Sequence, residues 1–112
     1  MSGPAKENLQ VVRGDTLTVV STMTSDGTTP IDITGRTYAM QLRTSPDATT
    51  VSATFTCTVT NAAGGVVTAT LPASTTATLT PQNYTYDLQE TSSGVVSTIL
   101  SGVVKVIADT TR

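Results

Sequence analysis

Histidine and tryptophan are absent from this sequence of 112 residues, and cysteine and phenylalanine each occur once. Without histidine, the Ser-His-Asp and Cys-His arrangements of nucleophilic catalysis cannot form, and metal sites built on imidazole are excluded. A single cysteine, Cys57, cannot close an intrachain disulfide, so stability must come from a packed core. Cys57 alternates with apolar residues, and we therefore expect a buried structural thiol.

Charged residues are also scarce. They make up 12% of the chain, and the net charge is -2, so the basic surface that nucleic acids or anionic membranes attract is missing. No stretch approaches about 20 consecutive apolar residues, and residues 1–10 lack the apolar segment of a secretory signal. We expect neither a nucleic acid nor a membrane as a partner, and we expect the chain to fold in a cytoplasm.

The remaining candidates for acid-base chemistry or calcium binding are the carboxylates of Asp15, Asp26, Asp32, Asp47, Asp87 and Glu90. They lie where turns need them, because Asp26 precedes Gly27 and Asp32 lies in an irregular connection that favours an Asx turn. Gly64-Gly65 precedes no helix, so it is predicted as a hairpin tip and not as a phosphate-binding loop. We therefore expect no catalytic residue, no metal, no cofactor and no enzymatic activity.

Threonine supplies about a quarter of the sequence, and its β-branched side chain favours pleated strands over helices. The clearest strand is predicted over residues 51–59, where apolar residues alternate strictly with Ser and Thr. The turn chemistry of residues 61–65 connects it to a second alternating segment, which predicts a hairpin. Alternation predicts further strands around residues 9–12, 17–23, 38–42, 84–89 and 95–108. Ser92-Ser93-Gly94 predicts a turn between the last two, and hence a second hairpin.

About seven antiparallel strands separated by turn signals predict an all-β fold, a single immunoglobulin-like β-sandwich. The sandwich is expected over residues 9–108, with an N-terminal arm over residues 1–8 and a C-terminal tail over residues 109–112. Its core would include all three tyrosines, Tyr38, Tyr84 and Tyr86. Only residues 72–79 predict a helical turn, with Ser74 as its cap and Pro81 ending it.

Several residues are predicted to shape turns or corners. Gly14 and Asp15 turn the chain between two strands, and Asp15 is expected to accept local amide hydrogen bonds. Pro81 and Tyr84 resemble a tyrosine corner, in which the phenol returns to nearby backbone. Gly102 suggests a bulge or bend inside the last strand. The full set of predicted structural turn or corner residues is Gly14, Asp15, Gly27, Gly35, Pro81, Tyr84 and Gly102.

Two motifs have a functional alternative. Arg13-Gly14-Asp15 is the tripeptide of integrin ligands, which present it on a protruding loop, but its place between two strands favours a structural turn. Lys105 lies between two valines. It is predicted to point outward on an edge strand and to prevent that strand from pairing with other chains, with a contact to a partner as the alternative.

Three groups of residues combine into a family resemblance. They are Arg13-Gly14-Asp15-Thr16 at the start of a strand, Asp26-Gly27 with Pro30-Ile31-Asp32-Ile33-Thr34-Gly35 before the third strand, and Pro81 with Tyr84, Tyr86, Asp87 and Leu88 before the last hairpin. Their order resembles the immunoglobulin-like domains of tailed-phage structural proteins, such as the N-terminal domain of upper baseplate proteins. The resemblance extends from about residue 11 to residue 108.

The resemblance implies a virion structural protein that is assembled in the host cytoplasm and packs against other virion proteins, as a homo-oligomer or in a multicopy assembly. Baseplate proteins of this kind carry further domains, so tail, fibre-adaptor and capsid-decoration positions are equally open. Strand edges, the N-terminal arm and the apolar last strand are the expected docking elements. The alternative hypothesis is a glycan- or receptor-binding adhesin, which would need exposed tyrosines or a carboxylate cluster.

Overall fold

The computed structural model describes residues 5–24 and 29–110 of the chain. It is nearly all-β, with two sheets in a sandwich-like arrangement, which confirms the predicted fold class. The elements are β1 Ala5–Lys6, β2 Leu9–Val12, β3 Leu17–Thr22, β4 Thr37–Arg43, β5 Ala53–Thr54, β6 Thr56–Asn61, β7 Val66–Leu71, α1 Ala73–Thr76, β8 Asn83–Ser92 and β9 Val95–Ile107.

The two sheets differ in size. The larger sheet has the order β1-β9-β8-β4-β5, and β2 also pairs with β9; the smaller sheet has the order β3-β7-β6. The prediction of purely antiparallel strands is wrong at one edge, because β1 and β2 run parallel to β9. β1 falls within the predicted N-terminal arm and adds two residues to this edge. A strand of two residues is too short to show periodicity. With β1, and with the predicted strand over residues 51–59 divided into β5 and β6, the described strands number nine and not the expected seven.

The strand predicted over residues 51–59 is in fact two strands in different sheets. β5 pairs with β4 in the larger sheet, whereas β6 pairs with β7 in the smaller one. Phe55 lies at the crossing, where its amide donates to the Met40 carbonyl at 2.9 Å and its side chain is buried. Alternation continues through the crossing because both sheets face the same core, so the sequence pattern gives no sign of the change.

Both predicted hairpins are confirmed. β6 and β7 pair antiparallel across residues 61–65, and β8 pairs with β9 across Ser93 and Gly94. These two turn residues have positive φ angles of 50° and 81°, the combination that a two-residue type I′ turn requires.

The core lies between the sheets and matches most of the predicted inward positions. Tyr84 and Tyr86 are buried as predicted, but Tyr38 and Cys57 are only half-buried at the edge of the core, contrary to expectation. The remaining buried apolar residues are Val11, Val19, Met23, Ile33, Met40, Leu42, Ala53, Phe55, Val67, Ala69, Leu71, Leu79, Leu88, Leu100, Val104 and Val106.

The predicted helical turn is present as α1, but its caps differ from those expected. Pro72 occupies the N-cap position with an extended backbone, and Ser74 lies inside the turn. The helix ends at Thr76, five residues before Pro81. The Pro72 carbonyl accepts from the amides of Thr75 and Thr76, both at 3.0 Å, and the turn forms without a side-chain cap.

Candidate interaction surface

The Arg13-Gly14-Asp15 tripeptide forms a turn that is fastened to the rest of the molecule. Gly14 has a φ of +92°, and the Asp15 amide donates to the Val12 carbonyl at 2.9 Å. The Arg13 guanidinium pairs with the carboxylate of Asp109 at 2.9 Å. The turn is therefore anchored, with its guanidinium already engaged, and it lacks the free presentation that an integrin ligand needs.

Thr76 holds this turn in place through hydrogen bonds, a role that was not predicted from the sequence. Its side chain is completely buried, and its hydroxyl accepts from the Gly14 amide at 3.0 Å and donates to the Asp15 carbonyl at 2.7 Å. Asp15 was expected to act through its carboxylate, but the turn uses its main-chain groups. No sequence signal distinguishes Thr76 from its neighbouring threonines, because the contact joins residues far apart in the chain.

Of the other predicted turn residues, those that the structure describes lie in three separate places: at Gly35, at Pro81 and Tyr84, and at Gly102. Gly35 has a φ of +83° and follows an Asx turn, in which Asp32 accepts from the Thr34 amide and hydroxyl at 2.9 and 2.6 Å. These hydrogen bonds hold the pKa of Asp32 below its ordinary value. Gly27 lies outside the described residues. Tyr84 donates to the Thr80 carbonyl at 2.8 Å across the exposed Pro81, which is the arrangement of a tyrosine corner.

Gly102 does not form the bulge that was predicted for it. The register of β8 and β9 shifts where Leu88 pairs with Leu100 and Gln89 pairs with Thr98, so the extra residue is Ile99. Gly102 instead lies directly under the N-terminal segment, where a β-carbon would overlap the carbonyl oxygen of Glu7. Its role is to permit a close approach of two backbones.

Tyr86 fixes the same N-terminal segment, since its buried phenol donates to the Glu7 carbonyl at 2.6 Å. Burial, together with the nearby Glu7 charge, raises the pKa of Tyr86 to about 12. Because the unfolded chain then loses this proton near pH 10 while the folded chain keeps it, the free energy of unfolding should decrease as the pH rises from about 10 to 12. Below pH 10 the contribution is fully present.

Replacing Tyr86 with phenylalanine tests this assignment. We expect Tyr86→Phe to be less stable than the wild type at neutral pH, because the Glu7 carbonyl loses its donor, and to lose less further stability between about pH 10 and 12. Urea unfolding curves measured across this pH range give both quantities. Wild-type and Tyr86→Phe curves that decrease in parallel would contradict the assignment.

A polar cluster closes one end of the sandwich and was also missed at the sequence level. Glu90 points inward from β8 and is buried; it accepts from the Tyr38 phenol at 2.5 Å and pairs with Arg36 at 3.3 Å. Burial and the hydrogen bond to Glu90 raise the pKa of the Tyr38 phenol well above its usual value. The three groups are partners for one another, so the buried carboxylate of Glu90 is not left unpaired.

The described residues offer little that could form a catalytic or metal site. Within residues 5–24 and 29–110, His, Cys, Asp and Glu side chains nowhere assemble in threes as possible metal ligands. An open groove of about 770 Å³ on the outer face of the larger sheet is lined by polar and apolar residues, among them the charged Lys6, Arg43 and Asp87. Burial raises the pKa of the Cys57 thiol, which disfavours the reactive thiolate.

The smaller sheet presents a different surface, which we call the threonine face. Apart from Asn61 at the end of β6, its outward side chains are threonine or valine, and the sheet contains no charged residue. The threonine face consists of Thr18, Val20, Thr22, Thr56, Thr58, Thr60, Val66, Thr68 and Thr70. Depletion of charge is the compositional mark of the centre of a protein interface, so this face is the leading candidate for contact with other proteins.

Every charged residue within a described strand belongs to the larger sheet, and these residues are Lys6, Arg43, Asp87, Glu90 and Lys105. Lys105 is exposed, but it does not guard an edge as predicted, because β9 is paired with β2 on one side and β8 on the other. Along this paired part the last strand, which is expected to act in docking, offers no free backbone edge to a partner.

The chain contains no described helix that is both long and apolar enough to cross a membrane. No protein-family model matches the chain, and no curated protein matches its sequence. Among solved structures, the fold is similar to the N-terminal domain of phage TP901-1 ORF48, with a TM-score of 0.57 and 13% identity over 97% of this chain and 92% of that chain. At this identity the likeness shows a shared fold, and it extends over nearly the whole of both chains.

Proposed function

We propose that this chain is a non-enzymatic structural protein of a phage virion, which acts by packing against other virion proteins. The observation that carries the proposal is the fold shared with the N-terminal domain of a phage protein across nearly the full length of both chains. The strand order of the two sheets, with a parallel N-terminal strand beside the last one, supports an immunoglobulin-like assignment. Tail, baseplate, fibre-adaptor and capsid-decoration positions are all consistent with it.

The surface chemistry supports packing over catalysis. The threonine face is broad and uncharged, and threonine hydroxyls can hydrogen-bond to a partner without the desolvation cost of a buried charge. The carboxylates nearest the core are already engaged, Glu90 by Tyr38 and Arg36 and Asp109 by Arg13.

An adhesin is the weaker alternative. Sugar binding usually needs aromatic rings that are exposed to stack on the ligand. Tyr84 and Tyr86 are only 3% and 4% exposed, and Phe55 is buried as well. Tyr38 is half-buried with its phenol bound to Glu90. The aromatic residues are therefore committed to the core and its margin.

The test is uptake of the purified protein by phage particles assembled without it. We expect saturable uptake, measured by co-sedimentation. Thr58→Lys, which introduces a charge on the threonine face, should weaken uptake at least about tenfold, equivalent to about 1.4 kcal/mol. Thr54→Lys is the matched control, because Thr54, like Thr58, is an exposed threonine but lies on the outer side of the larger sheet.

A protein that ignores the particles but binds a glycan array would contradict the proposal and favour the adhesin. Equal uptake of the wild type, Thr58→Lys and Thr54→Lys would leave the virion role standing but exclude the threonine face as the contact surface.

A further inference from the structure

β3 is an edge strand with a regular register and no charged residue. It pairs with β7 through six consecutive residues without a register shift, and among the described residues its other side has no strand beside it. In an isolated chain the outward-pointing amides and carbonyls of such an edge are left to water, and an extended strand is the partner that can pair with all of them in register. The chemistry of this edge therefore favours a β-strand as its protein partner.

The remaining edges of the sandwich carry the usual protection against pairing. In the larger sheet, the edge strands β1, β2 and β5 are only two, four and two residues long, and β1 carries the exposed Lys6. In the smaller sheet, β6 has a register shift between Val59 and Asn61, and it follows the crossing at Phe55. Short strands, lysines and bulges all discourage edge pairing. β3 has none of these features, since its sequence is LTVVST and its register is regular.

We propose that β3 pairs antiparallel with β3 of a second copy of this chain across a twofold axis, which joins the two smaller sheets into one continuous sheet. An uncharged strand is compatible with itself, because no like charges face each other in the antiparallel arrangement. The second copy is thus a partner that meets both requirements of this edge, an extended strand and the absence of charge.

The exposed apolar residue of β3 sets the register. Val20 is 64% exposed at the middle of the strand. Pairing Val20 with Val20 of the second copy places Thr18 opposite Thr22 on the same face, and inward-facing Val19 opposite Ser21. Leu17 and Ser21, which are only half-buried at this edge, would then be covered. Cross-strand valine pairs stabilise a sheet, which accounts for an otherwise exposed apolar side chain.

This inference adds to the packing function proposed above, because it names a second copy of the chain as one packing partner. It rests on the proposed function only in that both assign the chain a role in packing. Its test uses purified protein without particles, so that the dimer and the uptake onto particles stand or fail separately. Thr58, the residue used to test uptake, lies on β6 at the opposite edge of the smaller sheet.

The first experiment measures the mass of the protein by light scattering over a range of concentrations. We expect the wild type to approach twice the chain mass of 11.5 kDa as the concentration rises. Val20→Lys, which sets two lysines face to face, should shift this transition at least tenfold upward in concentration. Val95→Lys is the matched control, because Val95 is also 64% exposed but lies beside the β8–β9 turn. Thermal unfolding of each variant verifies that it is folded.

The second experiment tests the register in a Cys57→Ser background. Residues directly opposite in an antiparallel pair have Cα atoms about 4.5–5.5 Å apart, within the range that a disulfide spans. Under oxidation, Val20→Cys should form a covalent dimer, whereas Val95→Cys should remain monomeric. A wild type that stays monomeric at every concentration, a Val20→Lys variant that dimerises as the wild type does, or equal cross-linking of the two cysteine variants would overturn the proposal.

Discussion

Replacing Ile33 with alanine should lower the free energy of unfolding by about 2–5 kcal/mol, although Ile33 lies in a loop and not in a strand. Its side chain is fully buried, with 0% exposure. The surrounding backbone is held on both sides, because the Ile33 amide donates to the Ala62 carbonyl at 2.9 Å and its carbonyl accepts from the Arg36 amide at 3.1 Å. A backbone fixed in this way cannot move to fill the space, so the full cost of the cavity is expected.

Urea unfolding measures this loss as a lower midpoint with an unchanged slope. The matched control is Ile31→Ala, since Ile31 belongs to the same loop and has the same side chain but is only half-buried. It removes less contact area and should cost clearly less than Ile33→Ala. Equal losses for the two variants would show that the loop acts as a unit and that Ile33 has no special role as an anchor.

Much of the fold could be predicted because side-chain alternation reports directly on burial. On β8, Tyr84, Tyr86 and Leu88 alternate with polar residues, and all three are buried. Turn chemistry was equally informative at Ser93-Gly94, where positive φ angles are needed. In both cases the signal is local, because side-chain alternation and turn-forming residues can be recognised within a short segment, without knowing which distant segment it pairs with.

The features that could not be predicted depend on pairing between distant segments. The strand predicted over residues 51–59 changes sheets at Phe55, and a period of two is the same in either sheet. The parallel pairing of β1 with β9 involves two residues, too few to produce a pattern. Alternation shows which side of a strand faces the core but does not identify its neighbour.

The candidate interaction surface divides in the same way. The abundance of threonine could be read from the sequence, but the grouping of outward threonines on one uncharged sheet follows from which strands pair. Lys105 illustrates the limit, because it was predicted on an edge and lies on a strand with neighbours on both sides. Glu90 gave no sign of burial, since its partners Arg36 and Tyr38 come from another strand and the loop before it.

Replacing Gly102 with alanine should destabilise the protein by about 1–3 kcal/mol, the usual cost of adding a methyl group where there is no space. The new β-carbon would overlap the Glu7 carbonyl oxygen and lie 2.9 Å from its carbonyl carbon. These are backbone atoms, so no side-chain rotation can relieve the overlap. The N-terminal segment must move away from β9, which breaks the hydrogen bond from the Tyr86 phenol to Glu7.

Two measurements check this expectation. Urea unfolding should give the loss of stability, and hydrogen exchange should become faster at the Glu7 amide, which donates to the Ser101 carbonyl at 3.0 Å in the wild type. Ser101→Ala is the matched control, because Ser101 immediately precedes Gly102 on β9 and faces outward opposite Asp87. Its substitution should leave both quantities near their wild-type values. If Gly102→Ala unfolds at the wild-type urea concentration with a protected Glu7 amide, the close approach of the N-terminal segment over Gly102 does not contribute to stability, and the N-terminal segment is held to β9 by its strand pairing alone.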